Sequence, residues 1–149
     1  MAFEIVFASC HRYDSQEPGI ELPVLLDTGS AATDVVAFVD TGASICIFQR
    51  RVAELLRINV ESGLRAAVST VTRRFAVFGH VVNLSVLDHK FETTVYFAED
   101  AFMRRNVLGR IGWLDTRRRN CPPRQPPLPR RLRLPRNHPP PVELACAIA

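Results

Sequence analysis

The chain has 149 residues, 47% of them hydrophobic and 23% charged, which is ordinary for one globular domain and excludes a low-complexity or wholly disordered protein. The net charge of +4 is uneven, because residues 116–149 hold eight of the 19 Lys and Arg residues and one of the 15 acidic residues. The basic charge therefore belongs to the C-terminal stretch and does not identify residues 1–115 as a nucleic-acid-binding domain.

The cysteines and the N-terminal sequence indicate the cellular compartment in which the protein is expected. The four cysteines form no Cys-x-x-Cys pair and no Cys/His cluster with metal-ligand spacing; they are Cys10, Cys46, Cys121 and Cys146. We therefore expect free thiols in a reducing compartment, and neither a metal nor another cofactor. No basic segment followed by an apolar run opens the chain, so we expect no signal peptide, no membrane partner and a cytoplasmic protein.

The first third of the chain predicts two strands after an N-terminal extension, residues 1–19. Residues 20–26 predict a strand at a sheet edge, because Pro23 has no amide hydrogen to donate. Residues 27–34 have the composition of a turn. The β-branched run at residues 35–39 predicts a second strand, buried on both faces.

A short helix and a β-rich region follow. Residues 49–57 have the apolar spacing of a helix. Its buried face is expected to hold Val52, Leu55 and Leu56. Residues 64–97 alternate in polarity as strands do, with turns expected at Gly79 and at residues 87–90.

The segment that most clearly indicates a catalytic site is the loop Asp40-Thr41-Gly42-Ala43-Ser44, which follows an apolar strand. Amide hydrolysis by paired carboxylates needs an Asp that is held rigidly near a second carboxylate, with water between them. We expect Gly42 to take a backbone conformation closed to other residues. We expect the Thr41 hydroxyl to lock the loop by hydrogen bonding.

Asp-Thr-Gly occurs a second time, at Asp27-Thr28-Gly29, also after an apolar run. The tripeptide alone therefore does not identify a catalytic Asp. Asp, Gly and Ser are all suited to a hairpin turn, which is the interpretation favoured for residues 27–30.

The wider pattern after Asp40 resembles the retropepsin-like aspartic peptidase family, in particular its bacterial single-lobe members. In that family the Asp-Thr-Gly-Ala-Ser loop leads into a strand, a short helix, a flap hairpin and an apolar-apolar-Gly-Arg motif. These parts follow Asp40 in order, which favours Asp40 over Asp27. They are residues 45–48, 49–57, 68–78 and Asn106-Val107-Leu108-Gly109-Arg110. The resemblance covers residues 20–115 and implies an all-β fold, a small closed barrel-like lobe with one or two short helices.

The resemblance also implies a function, that of an aspartic endopeptidase. One lobe holds one catalytic Asp, so the enzyme would be a homodimer in which Asp40 from each of two chains forms the dyad. A polypeptide is the implied substrate, no cofactor is needed, and activity should favour acid to mildly acidic pH, since one carboxyl must keep its proton.

Further roles are implied residue by residue. Thr41 would hydrogen-bond across the two catalytic loops, and Gly42, Ala43 and Ser44 would support the loop beside the substrate. Gly109 and Arg110 would anchor the closing motif against it. Retroviral members have an Asp where this chain has Ser44, which leaves the partner of Arg110 open. The flap tip would be formed by Ser69, Thr70, Val71 and Thr72.

The C-terminal stretch, residues 116–149, is expected to be a disordered tail, because nine of the 11 prolines lie there among arginines. Family members end in a strand that helps to build the dimer, and here the one candidate is residues 142–148. Three interpretations stand open: a basic extension for nucleic acid, a polyproline ligand for a partner domain, or a frame-shifted end. If the strand is missing, the alternative function is an inactive peptide-binding or scaffolding module.

Overall fold

The computed structural model describes residues 7–119 and 144–148. These residues form nine strands and two short α-helices. The strands are β1 (Phe7–Arg12), β2 (Glu21–Asp27), β3 (Ala32–Val39), β4 (Ile47–Phe48), β5 (Leu64–Ser69), β6 (Arg74–Val86), β7 (His89–Ala98), β8 (Asn106–Leu108) and β9 (Leu144–Ile148). The helices are α1 (Arg50–Leu55) and α2 (Leu114–Arg119), and a 3₁₀ turn spans Val60–Ser62. Within this part of the chain no helix is long and apolar enough to cross a membrane.

Six of the strands close into a barrel in the order β2-β3-β8-β4-β7-β6, since β2 pairs with both β3 and β6. The pairs β3–β8 and β4–β7 are parallel, and the others are antiparallel. Strand β5 joins the outside of this ring through β6, with which it forms a hairpin. The predicted all-β fold, a small closed barrel with short helices, is confirmed.

The core fills the inside of the barrel, where large apolar side chains from opposite walls meet. Its fully buried members include Leu22, Leu26, Phe48, Leu84, Phe97 and Leu108. Helix α1 lies over one end of this core and buries Val52, Ala53 and Leu56. The prediction that Leu55 joins this face is wrong, since Leu55 is 60% exposed. The buried stripe is centred between positions 52, 53 and 56, which turns position 55 to its solvent edge.

Strand β3 is not buried on both faces, as its β-branched run had predicted. Val36 is 52% exposed, and its side of the strand borders an open groove beside α1, lined also by Phe38 and Leu55. The continuous apolar run indicated a double-sided strand, but the described residues do not cover the outer side of this strand completely.

Gly79 does not form the predicted turn, because it lies in the middle of β6, opposite Tyr96. A Cβ atom at this position would lie 2.9 Å from the Tyr96 ring and 3.2 Å from the Thr94 methyl group. The glycine therefore makes room for two cross-strand side chains. Of the turn predicted at residues 87–90, Leu87 and Asp88 lie between β6 and β7 and adopt positive φ angles, while His89 and Lys90 already belong to β7.

The two ends of the described chain meet in a separate antiparallel sheet of β1 and β9, with Cys10 opposite Cys146. The one apolar candidate strand near the C-terminus, residues 142–148, contains β9. Proximity along the chain did not reveal this pairing, which joins residues more than 130 positions apart. The three tail interpretations concern residues 116–149, of which 120–143 and 149 lie outside the described residues.

Two ion pairs on the barrel surface predict a loss of stability in acid. Lys90 Nζ lies 2.8 Å from Asp27 Oδ2, and Arg50 Nη1 lies 2.7 Å from Glu61 Oε1. Hydrogen bonds from these cations hold the pKa of Asp27 below its ordinary 3.8 and the pKa of Glu61 below its ordinary 4.5. A carboxyl group whose pKa is lower in the folded than in the unfolded chain stabilises the fold at pH values above its unfolded pKa. This stability is lost as the pH falls through the folded pKa.

We therefore expect the melting temperature to stay level between about pH 7 and about pH 5 and to fall below about pH 4. Thermal unfolding across this range measures it. In Lys90→Met, Asp27 has lost its cation, so the fall in melting temperature in acid should be smaller than in the native chain. An identical acid profile in the two chains would show that this pair contributes nothing.

Candidate active site

The Asp40 loop begins where β3 leaves the barrel wall. Asp40 follows Val39 directly, and its amide donates a 3.0 Å hydrogen bond to the carbonyl of Leu108 on the parallel neighbour β8. An apolar strand thus delivers the Asp to the barrel edge, and the adjacent strand fixes its backbone. Its side chain is exposed at that edge.

The carboxylate of Asp40 is oriented by its own loop. Oδ1 accepts hydrogen bonds from the amides of Gly42, at 2.8 Å, and Ala43, at 3.2 Å. Both bonds go to one oxygen, and among the described residues no group donates to Oδ2. One oxygen is therefore held in position while the other is available for chemistry.

The expectation for the Gly42 backbone is wrong, because Gly42 does not adopt a positive φ angle, unlike Gly29 and Gly112. A residue without a side chain is favoured at position 42 because there is little room for a Cβ atom. A Cβ atom there would lie 3.1 Å from Asp40 Oδ1, tighter than ordinary van der Waals contact. A side chain would press on the carboxylate that the loop positions.

The closing motif packs directly under this loop. The amide of Arg110 donates to the carbonyl of Ala43 at 3.0 Å, and the amide of Ile111 donates to the carbonyl of Ser44 at 2.9 Å. Gly109 allows the close approach, since a Cβ atom there would lie 2.5 Å from the carbonyl carbon of Ile45. The structure therefore brings Asp40–Ser44 and Gly109–Arg110 together.

Asn106 holds this region in a way that sequence reasoning missed. It is the buried polar residue of the described core. Its Nδ2 donates to the carbonyl of Val36 at 2.9 Å, and its Oδ1 accepts from the amide of Gln49 at 3.0 Å. Asn106 thus connects β8 to β3 and to the start of α1. A polar residue opening an apolar strand was the signal that could have indicated it.

Cys46, two residues after this loop, is structural. Its thiol is buried and lies 3.8 Å from the carbonyl of Gly109 and 3.6 Å from that of Ile111. Burial raises the pKa of Cys46 to about 11, which keeps the thiol protonated at neutral pH. Cys46 is therefore not a nucleophile of this site.

The side chain of Arg110 contacts Ser44, the residue that stands where retroviral members have an Asp. Its Nη2 lies 3.4 Å from Ser44 Oγ, a long hydrogen bond between two exposed side chains. Within the described residues Arg110 forms no ion pair. The main chain of Arg110 is thus anchored by its amide, and its guanidinium makes one long hydrogen bond to Ser44.

We expect Ser44→Asp to stabilise the protein by about 0.2–1 kcal/mol, because it supplies the carboxylate that Arg110 lacks. Chemical denaturation at low and high salt measures the gain, which should shrink as salt screens the exposed pair. Ser44→Asn is the matched control without the charge. An equal gain in both variants would contradict an ion pair with Arg110.

Asp27 lies in a different environment. Its Oδ1 accepts the amide of Gly29, and its Oδ2 accepts Lys90 Nζ. The turn that follows is closed by the amide of Thr28 bonding to the carbonyl of Ala31. The second Asp-Thr-Gly is therefore the hairpin turn between β2 and β3, with both carboxylate oxygens already occupied.

The predicted flap residues lie at the end of the β5–β6 hairpin. Thr70 closes the tip: its amide and its hydroxyl both donate to the carbonyl of Arg73, at 2.8 and 3.0 Å. Val71 at the tip is fully exposed. The described contacts include no hydrogen bond, ion pair or ring contact between this hairpin and the Asp40 loop. No group of three His, Cys, Asp or Glu in the described part of the chain could hold a metal ion.

Comparisons with known proteins identify a family and a similar fold. The profile of a family described as Aspartyl protease matches residues 29–110, more than half of the chain. The EIAV protease, a retroviral protease solved in complex with the inhibitor HBY-793, superposes with a TM-score of 0.52. It is 18% identical, and the alignment covers 66% of this chain and 88% of that one. No curated protein sequence matches significantly. The chain belongs to the retropepsin-like aspartic peptidase family.

Proposed function

We propose that this protein is an aspartic endopeptidase whose catalytic carboxylate is Asp40, contributed by each of two chains of a homodimer. The observation that carries the proposal is the geometry of Asp40, an exposed carboxylate whose Oδ1 is fixed by two amides and whose backbone is fixed by Leu108. The family profile supports it, since its match includes Asp40 and begins after Asp27.

The mechanism needs two such carboxylates around one water. Placed close together, they hold one proton between them, because a second negative charge at that separation is unfavourable. The ionised Asp40 acts as general base on the water, and the protonated one polarises the scissile carbonyl and then supplies a proton to the leaving amine. Within one chain the loop offers one such Asp, so a second chain must supply the other.

The surface around Asp40 is suited to a second copy. Thr41, Gly42 and Ser44 are exposed, and Thr41 makes no hydrogen bond within the described residues. Ile111, which bonds to this loop, is an apolar residue that remains 57% exposed. A partner related by a two-fold axis would cover these groups and give the Thr41 hydroxyl a partner across the axis. In the described part of the chain the β1–β9 sheet has two strands, whose outer edges a second copy could extend.

The β5–β6 hairpin is proposed as the flap that closes over an extended peptide, with Ser69, Thr70, Val71 and Thr72 at its tip. The tip lacks glycine, but Thr70 closes the turn through its own hydroxyl. Exposed backbone groups of a hairpin end can pair with a peptide strand and exclude water from the bond that is cleaved.

The direct test is cleavage of an unfolded protein between about pH 3 and about pH 8, with sedimentation of the same sample. We expect a dimer whose activity is highest in the acid half of this range and declines toward alkaline pH. A monomer without activity would instead indicate a non-catalytic peptide-binding module on this fold. A flat profile into alkaline pH would contradict a shared proton.

A further inference from the structure

Three side chains join the β5–β6 hairpin to the connection between β7 and β8. The ring of Phe102, on that connection, meets the ring of Phe75 edge-on, with centroids 5.1 Å apart and planes at 86°. The guanidinium carbon of Arg73 lies 4.3 Å from the centroid of the Phe102 ring. We call these three residues the clasp. Phe102 is 37% exposed, so the clasp lies at the surface, where it can open.

The clasp is placed beyond the last backbone support of the hairpin. The ladder between β6 and β7 ends at Val77 opposite Ala98, and one further bond runs from the amide of Glu99 to the carbonyl of Ala76. Past that point, the described bonds of the tip lie within the hairpin, such as those of Thr70. The clasp is therefore the outermost tie between the hairpin and the barrel.

The segment on the other side of the clasp also supports Asp40. From Phe102 the chain runs directly into β8, whose first residue is Asn106 and whose last, Leu108, accepts the amide of Asp40. The amide of Phe102 is itself held by Asp100 Oδ1 at 3.2 Å. A tie at Phe102 thus relates the position of the hairpin to the strand that positions the catalytic loop.

We propose that Phe102 is a positioning residue that sets how far the hairpin opens, acting through Phe75 and Arg73. This inference rests on the proposed function, in which the hairpin closes over the peptide bound at Asp40. A ring pair and a cation over a ring each favour the clasped state, together by about tenfold in the opening equilibrium. Loss of the ring should weaken peptide binding far more than it slows the chemical step, because Phe102 does not touch the reacting atoms.

Limited digestion with trypsin measures hairpin opening without any need for activity, since Arg73 and Arg74 lie in the hairpin. In an Asp40→Asn background, Phe102→Ala should speed cleavage after these residues about tenfold, and Phe102→Tyr should restore the slow rate. Val81→Ala is the matched control, because Val81 is an exposed apolar residue of β6 outside the clasp.

In the chain that retains Asp40, Phe102→Ala should raise KM about tenfold with kcat within about twofold, and Phe102→Tyr should return KM to near its original value. An unchanged trypsin rate in Phe102→Ala, or a fall in kcat at constant KM, would overturn the proposal. If no chain cleaves peptide but Phe102→Ala still speeds trypsin cleavage, the clasp is supported and the proposed function fails.

Discussion

Asparagine in place of Asp40 is expected to abolish peptide hydrolysis and to leave the fold intact. The Asn side chain keeps an oxygen that can accept the amides of Gly42 and Ala43, so the loop geometry should persist. It loses the charge that activates water and the proton that the dyad shares. We expect activity to fall by about a thousandfold or more.

Asp27→Asn is the matched control, since it makes the same change in the other Asp-Thr-Gly. That variant loses the ion pair with Lys90, which lies on the barrel surface away from the loop. It should retain activity at near the original level and lose a little stability. Comparing initial rates on one unfolded substrate measures both variants. Activity that survives Asp40→Asn and disappears in Asp27→Asn would show that the catalytic carboxylate is Asp27 and not Asp40.

Alanine in place of Gly109 should destabilise the protein strongly, the largest effect on stability that we expect. The new Cβ would lie 2.5 Å from the carbonyl carbon and 2.9 Å from the amide nitrogen of Ile45. These are backbone atoms that cannot rotate away, and Ile45 lies between the catalytic loop and β4. We expect a cost of about 3 kcal/mol or more, at or above the upper end for overpacking.

Gly29→Ala separates this clash from the general cost of replacing a glycine. Gly29 has open space around it but a φ angle of +82°, so alanine there should cost about 1 kcal/mol of backbone strain. Denaturant unfolding of both variants measures the difference. If Gly109→Ala is no less stable than Gly29→Ala, the close packing of the closing motif on the catalytic loop is not what holds this region.

The sequence could predict the features that depend on local pattern. Alternation and turn chemistry placed most strands, and the order of motifs after Asp40 favoured it over Asp27 as the catalytic candidate. The hairpin at Asp27 could be predicted too, because Asp, Thr, Gly and Ser in succession suit one particular turn.

Features that depend on distant parts of the chain could not be predicted. The bonds of Asn106 to Val36 and Gln49 join segments 70 and 57 residues away, respectively. Leu55 is exposed because α1 packs on the barrel through positions 52, 53 and 56, a choice of face that apolar spacing alone does not give. The small space at Gly42 is set by the Asp40 side chain rather than by backbone freedom.

The clasp belongs to the same group of features. Phe75 and Phe102 are 27 positions apart, on elements that the sequence did not place together, and nothing in the local pattern links them. Likewise the pairing of β1 with β9 joins the two ends of the described chain. Each of these contacts becomes evident only after the barrel has closed.

The most direct test of the central claim, a dyad built from two chains, is a mixing experiment. Native and Asp40→Asn chains are unfolded together, refolded at constant total concentration, and assayed as the native fraction is varied. If both Asp40 residues are needed, activity follows the square of that fraction, and an equal mixture retains about one quarter of the native activity. A linear dependence, with about one half remaining, would mean that each chain works alone and would contradict the account.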